Sequence, residues 1–276
     1  MTKRFDIPNL GFGLGLRPIH FQDFIDNKPK VDWLEIISEN FMIDGGRSLH
    51  HLDYFIDHYP IIPHGVSLSI GSVDPLDFNY LKKLKALIDK IDPPWFSDHI
   101  CWTKIHGKNL HNLMPLPYTT DTINYVSEKI KIVQDYMERP FIFENVSSYV
   151  EFSGSQMPEW DFVSHVSEKA DCGILLDINN IFVSGFNHDF DPKTYINNVP
   201  KDRVLQFHIA GHKDKGTYIL DSHDHEIRDE VWDLYSWAAP QFGEVSVLLE
   251  RDDDIPPLPD LLDELIKAKQ TYAITS

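Results

Sequence analysis

Eight short apolar runs alternate with helical stretches along this chain, and that count limits the fold more than any other feature. The runs cover residues 11–16, 31–37, 61–70, 95–102, 141–146, 172–180, 204–209 and 245–250. Most are continuous in hydrophobicity, not alternating. Continuous apolar strands are buried on both faces, which points to parallel pairing. The stretches between them carry helical periodicity. Leu81, Leu84, Ile88 and Ile91 step by three and four within 77–91, and Pro93-Pro94 stops that helix. Thr119 or Thr120 is placed to cap the next one. Residues 103–117, with His106 and His111, read as a long loop, and a loop with Gly185 and His188 leads to a short helix from Pro192. Eight βα units in a row, with no break, repeat or linker, predict one (β/α)8 TIM barrel over residues 1–276. A doubly wound open sheet is disfavoured, because Gly11-x-Gly13-x-Gly15 runs into Arg17-Pro18 and not into a dinucleotide turn.

The 276 residues suit such a barrel, for which about 250 is typical. Asp and Glu total 43 against 25 Lys and Arg, a net charge of −18. So acidic a surface repels phosphate backbones, and no nucleic-acid partner is expected. The two cysteines, Cys101 and Cys172, lie in apolar runs and form no disulfide framework. A reducing, cytoplasmic compartment is the expectation. The run 10–16 is a poor signal peptide, and no stretch is long enough for a membrane span.

Chemistry enters through polar residues inside the apolar runs. The third carries His64, the fourth His99, the fifth Glu144, the sixth Asp177, the seventh His208 and the eighth Glu250. Beyond the seventh, Asp221 and His223 share one loop. A lone strand histidine is more often a hydrogen-bonded core residue than a ligand. Here six consecutive strands repeat the pattern, and a barrel brings its strand ends together where active sites form. Cationic partners are scarce, with Arg17 and Arg251 the arginines next to these strands. Four imidazoles and four carboxylates without cations would repel or stay unpaired, and bound metal resolves that. Mixed His and carboxylate ligation suits iron, manganese or zinc, and carboxylates can bridge several ions. Asn145, Asn179 and His212 are candidates to orient ligands or substrate. A divalent-metal hydrolase, a sugar isomerase and a metal-sequestering protein are also compatible with these residue types.

Several segments together resemble one family. They are Arg17-Pro18 with His20, Ser38-Glu39-Asn40, residues 97–102 (SDHICW), residues 144–149 (ENVSSY), residues 176–180 (LDINN), residues 208–212 (HIAGH), Asp221-x-His223-Asp224-His225 and residues 252–256 (DDDIP). The chain resembles the multinuclear non-heme iron-dependent oxidative enzymes, relatives of the methanobactin-biosynthesis oxidase, from about Gly11 to the last helix. The resemblance implies a xylose-isomerase-like barrel holding two or three irons of mixed valence, with O2 as co-substrate. It implies oxidation of a ribosomally made precursor peptide, usually at cysteine, often with a partner protein that presents the peptide. The matching ligand positions are His64, His99, Glu144, Asp177, His208, Asp221, His223 and Glu250. Arg251 stands where some relatives carry an acid.

Overall fold

The computed structural model describes residue 5, residues 7–43 and residues 45–275. In chain order the elements are β1 (Phe12–Gly15), α1 (Phe21–Asn27), β2 (Trp33–Ile37), α2 (Arg47–Ile56), β3 (Ile61–Gly65), α3 (Phe78–Ile91), β4 (Phe96–His99), β5 (Trp102–Ile105), β6 (Lys108–Met114), α4 (Thr120–Met137) and β7 (Phe141–Glu144). There follow α5 (Glu159–Ala170), β8 (Gly173–Asp177), α6 (Ile178–His188), α7 (Pro192–Asn198), β9 (Val204–Ile209), β10 (His212–Asp214), β11 (Ile219–Asp221), α8 (Asp229–Ala238), β12 (Ser246–Leu249) and α9 (Leu258–Thr275). Strands β1, β2, β3, β4, β7, β8, β9 and β12 close a parallel barrel, β1 pairing with both β2 and β12. The eight runs expected to be strands each supply one of these.

Local chemistry sets the element ends. Asp77 caps α3 by accepting from the backbone N–H of Asn79 and Tyr80. Thr119 caps α4 through Thr122 N–H. Four expectations need correction. The third run was extended to residue 70, but β3 stops at Gly65, where the Asp98 carboxylate lies across the strand end and accepts from Leu68 N–H. The sixth was carried to residue 180, yet β8 stops at Asp177, whose side chain accepts from Asn180 N–H and so starts α6. Gly185 and His188, read as loop, lie within that helix. Residues 103–117 are largely no loop either: β5 and β6 form an antiparallel hairpin, its tip held by Asp74 accepting from His106 and Gly107 N–H. A second hairpin, β10 with β11, follows β9.

Two apolar layers hold the barrel. The larger lies between strands and helices and includes Leu34, Ile36, Phe96, Phe141, Phe143 and Phe207. The smaller fills the interior with Trp33, Ile62, Trp95, Ile142, Leu175, Leu205 and Leu248. Strand side chains alternate, so the residue two positions on faces the same interior. Two positions beyond Trp33, Ile62, Ile142, Leu175 and Leu248 stand Glu35, His64, Glu144, Asp177 and Glu250. On β4 the series runs Trp95, Ser97, His99. On β9 a register shift opposite β8 brings Gln206 and then His208 into line. An apolar floor therefore carries a polar layer at the carboxyl ends of the strands, the end where barrel sites form.

On β1 the inward positions are glycines, which leaves space for large neighbours. A Cβ at Gly13 would come within 2.5 Å of the Trp33 ring. We expect Gly13→Ala to displace this indole from the floor and cost about 1–3 kcal/mol, the usual penalty for overpacking a filled core. Urea unfolding of wild type and variant checks this, and an unchanged midpoint would refute it.

Candidate metal centre

The polar layer is a chain of donors that two carboxylates link together. His64, His99 and Glu144 offer atoms within 4.8 Å of one another, as do Glu144, Asp177, His208 and Glu250, and again His223, Glu250 and Asp252. Glu144 belongs to the first two groups, and Glu250 to the last two. Glu144 Oε2 lies 3.3 Å from His64 Nε2 and 3.2 Å from His99 Nε2, while its Oε1 faces His208 Nδ1 at 3.4 Å. Glu250 Oε2 lies 2.9 Å from His208 Nδ1 and 3.1 Å from His223 Nδ1. Each carboxylate thus faces two neighbouring groups, an arrangement suited to bridging ions.

The supports lie behind the donors. His64 Nδ1 meets Ser97 Oγ at 2.8 Å, and His99 Nδ1 meets the Gly65 carbonyl at 3.1 Å. His208 Nε2 lies 3.1 Å from Glu35 Oε1. Gln206 donates to Glu35 Oε2 and accepts from Trp95 Nε1, so the floor fixes the carboxylate that fixes the imidazole. Such outer partners set the tautomer and orientation of a ligating histidine. Asp177 divides its work: Oδ1 caps α6, and Oδ2 is buried without a hydrogen-bond partner.

Seven of the eight residues expected as ligands fall in the three groups. Asp221 stands outside them, because its oxygens are engaged elsewhere. Oδ1 faces His223 Nε2 at 2.7 Å and accepts from Asn179 Nδ2, and Oδ2 accepts from Ser147 Oγ. Asn145 clamps the Asp177 backbone from both sides, accepting from its N–H and donating to its carbonyl. His212 Nδ1 meets Asn179 Oδ1 at 2.8 Å, and its ring stacks on Phe182. Asn145, Asn179 and His212 therefore touch the supports of the cluster. Arg251 turns away and donates to Glu264 of α9. Arg17 lies nearer, with Nη2 3.8 Å from Glu250 Oε1, and it also pairs with Asp252. Arg203, which precedes β9 and was passed over among the arginines next to the strands, is buried with its guanidinium on the Ser167 and Cys172 carbonyls. Sequence reasoning also passed over Glu35, Gln206 and Asp252. Glu35 carried the same signal as the others, an acid inside an apolar run. Asp252 lies two residues past Glu250, beyond the strand.

Electrostatics show why a cation fits. Both Glu144 oxygens, Asp177 Oδ2, His208 Nδ1 and His223 Nε2 are buried without a hydrogen-bond partner of good geometry. Burial pushes Glu144 up to about 7 against the pull of His208, and drives Asp177 well above the usual carboxylate range. Burial would also raise Glu250, but His208 and His223 outweigh it and hold Glu250 well below that range. Burial holds His64 and His99 below the ordinary imidazole value, the neutral state a metal ligand needs. Burial opposes protonation of His208 and His223, yet Glu35 and Glu250 raise the first, and Asp221 and Glu250 the second. Nitrogen and oxygen donors without thiolate suit iron, manganese or zinc.

A carboxyl whose folded pKa exceeds its unfolded value stabilises the fold fully below the unfolded value and loses that contribution as pH rises. For Glu144 the window runs from 4.5 to about 7. Metal-free Glu144→Gln should therefore lose less stability than metal-free wild type between about pH 5 and about pH 8. Thermal unfolding at both pH values checks this, and parallel losses in the two proteins would contradict it.

The family model described as RiPP precursor modification enzyme MbnB/TglH/ChrH matches residues 11–273. A UPF0276 protein of Caulobacter vibrioides is 50% identical over 264 residues, covering 95% of this chain and 94% of that protein. A UPF0276 protein of Anaeromyxobacter sp. is 48% identical over 264 residues, covering 96% and 93%. Among solved structures, a D-tagatose 3-epimerase-like protein aligns with TM-score 0.61 at 14% identity, covering 96% of this chain and 98% of that one. A xylose isomerase domain protein from Planctomyces limnophilus aligns with TM-score 0.59 at 12% identity, covering 97% and 99%. At these identities the structural likeness shows the barrel fold alone.

Proposed function

Because the chain belongs to the RiPP precursor modification enzyme family MbnB/TglH/ChrH, we propose that it oxidises a ribosomally made precursor peptide at cysteine, using iron and O2. The observation that carries this reading is the run of three donor groups joined by Glu144 and Glu250. It suits two or three ions held side by side better than one tetrahedral zinc. We assign His64, His99, Glu144, Asp177, His208, His223 and Glu250 as ligands and add Asp252. Asp221, expected as a ligand, is assigned to holding His223 through its Nε2. Bound iron of mixed valence would supply Lewis-acid polarisation and redox chemistry with O2.

The chain's own residues account for the rest. Glu35 holds the His208 ring so that Nδ1 faces Glu144 and Glu250. Asn145 fixes the end of β8, and with it the direction of Asp177. Ser147 and Asn179 hold Asp221 behind His223. His99, Glu144, Asp177, His208 and Glu250 are all buried, which excludes water and strengthens every charge interaction among them. Both hairpins and α6 leave the ends of barrel strands that carry these residues, so they are the elements in place to receive a peptide, or a protein that presents one. Among the described residues, no helix is long and apolar enough to cross a membrane.

Protein purified without oxygen should hold iron, and O2 uptake should require a cysteine-containing precursor peptide. Glu144→Ala, which removes a donor from two groups, should lose most iron and lower turnover at least about a hundredfold. Asp252→Asn, which touches one group, should lose no more than one ion. Metal analysis with iron spectroscopy reads both variants. Full activity in metal-depleted protein, or stoichiometric zinc with no O2 uptake, would overturn the reading.

A further inference from the structure

Beside the metal centre lies a cavity of about 530 Å³ that the chemistry above does not use. Tyr118, Phe152, Trp160 and Phe190 contribute aromatic walls, and Glu151 and Glu159 contribute carboxylates. Among the described residues, no lysine or arginine lines it. The two acids differ. Glu151 stands at the rim, its side chain 77% exposed. Glu159 is 9% exposed, opens α5, and accepts from Tyr118 and Tyr195 hydroxyls, both at 3.0 Å. Burial holds the Glu159 carboxyl up at about 7, so a charge there lacks compensation. Of the lining residues His188 could supply some, but its Nε2 is committed to Ser148 at 2.7 Å, and its Nδ1 lies 3.8 Å from Glu151.

We propose that this cavity receives a basic side chain, arginine or lysine, of the peptide substrate. Aromatic walls attract a cation through their ring faces, and the attraction grows as water is excluded. The carboxylates supply the opposite charge, and the apolar lining covers the aliphatic stem of the side chain. The wall shared with the metal centre is the segment from Ser147 to Tyr149. Ser147 donates to Asp221, Ser148 faces the cavity and His188, and Tyr149 accepts from Asp221 N–H. Neighbouring residues of this segment therefore serve the two sites. From Glu144 to Ser148 is four residues, at most about 14 Å of chain. An extended peptide covers that in about four residues, so the basic residue lies a few positions from the modified one. The inference names a specificity feature of the substrate and rests on the peptide-modifying reading for the identity of its occupant.

The probes are Nα-acetyl-arginine amide and its neutral isostere Nα-acetyl-citrulline amide, titrated into the full iron-loaded chain by ligand-observed NMR. The arginine probe should bind at least about tenfold more tightly than the citrulline probe. Glu151→Gln and Phe152→Ser, both at the exposed rim, should weaken it severalfold, and Glu159→Gln should weaken it further. Should Glu159→Gln fail to fold, the two rim variants carry the test. Equal binding of the two probes, no binding of arginine, or arginine binding that ignores the rim variants would overturn the proposal; the last would mark general attraction to an acidic surface. Iron content is read on the same samples. Loss of the probe with iron retained locates a failure in the cavity, whereas probe binding by a chain that holds no iron sinks the oxidative reading and leaves the cavity standing.

Discussion

Buried carboxylate against buried imidazole is the interaction on which the rest of this structure depends. Glu144 is 1% exposed and has three histidines within 3.4 Å, yet neither of its oxygens completes a well-directed hydrogen bond. Leaving one buried charged group unsatisfied costs several kcal/mol, and here several such groups share one space. A fold that placed them there for packing alone would be selected against, since apolar side chains of similar volume would serve better. The arrangement becomes favourable once positive charge sits among the donors. Cation binding would then be coupled to folding of the barrel mouth, because ligand protonation and burial oppose each other in its absence.

The barrel delivers that arrangement through one geometric fact, the period of two along a strand. Each apolar floor residue fixes how its strand is rotated, and the polar residue two positions later inherits the direction. Trp95 makes the link explicit, since its indole N–H donates to Gln206, which donates to Glu35, which faces His208. Floor and site are one network, so a disturbance in the floor reaches the His208 ring. Gly13 matters for the same reason, because a Cβ there would meet the Trp33 ring.

Much of this was legible in the sequence because strand and helix periods are local signals. The eight runs, the cap at the threonine pair, and the polar insertions in six strands could all be read one segment at a time. What was not legible depended on contacts across the chain. That β8 ends at Asp177 follows from its side chain turning back to Asn180 N–H, which an apolar run continuing through Ile178 conceals. The β5–β6 hairpin is mostly exposed and lacks the alternation of a half-buried strand, so it looked like a loop. The positions of Asp221 and Asp252 escaped sequence reading for a related reason. Sequence placed Asp221 with His223 by proximity, and the folded chain keeps that contact while Asn179 and Ser147 also bind Asp221; Arg17 and His223 gather Asp252 inward, which no local signal showed.

The same physics separates the metal centre from the aromatic cavity next to it, although both contain buried acids. In the centre the carboxylates face imidazoles whose nitrogens compete for the same space, and a small ion of high charge answers that geometry. In the cavity Glu159 is already served by two phenols, and the other lining residues include Phe152, Trp160 and Phe190. A compact, strongly hydrated metal ion would gain little there, because aromatic faces offer it no lone pairs. A large, diffuse organic cation loses less hydration on entering and gains from each ring it meets. The two sites would therefore select by charge density, with Ser147 bonded to Asp221 on one side and Ser148 lining the cavity on the other.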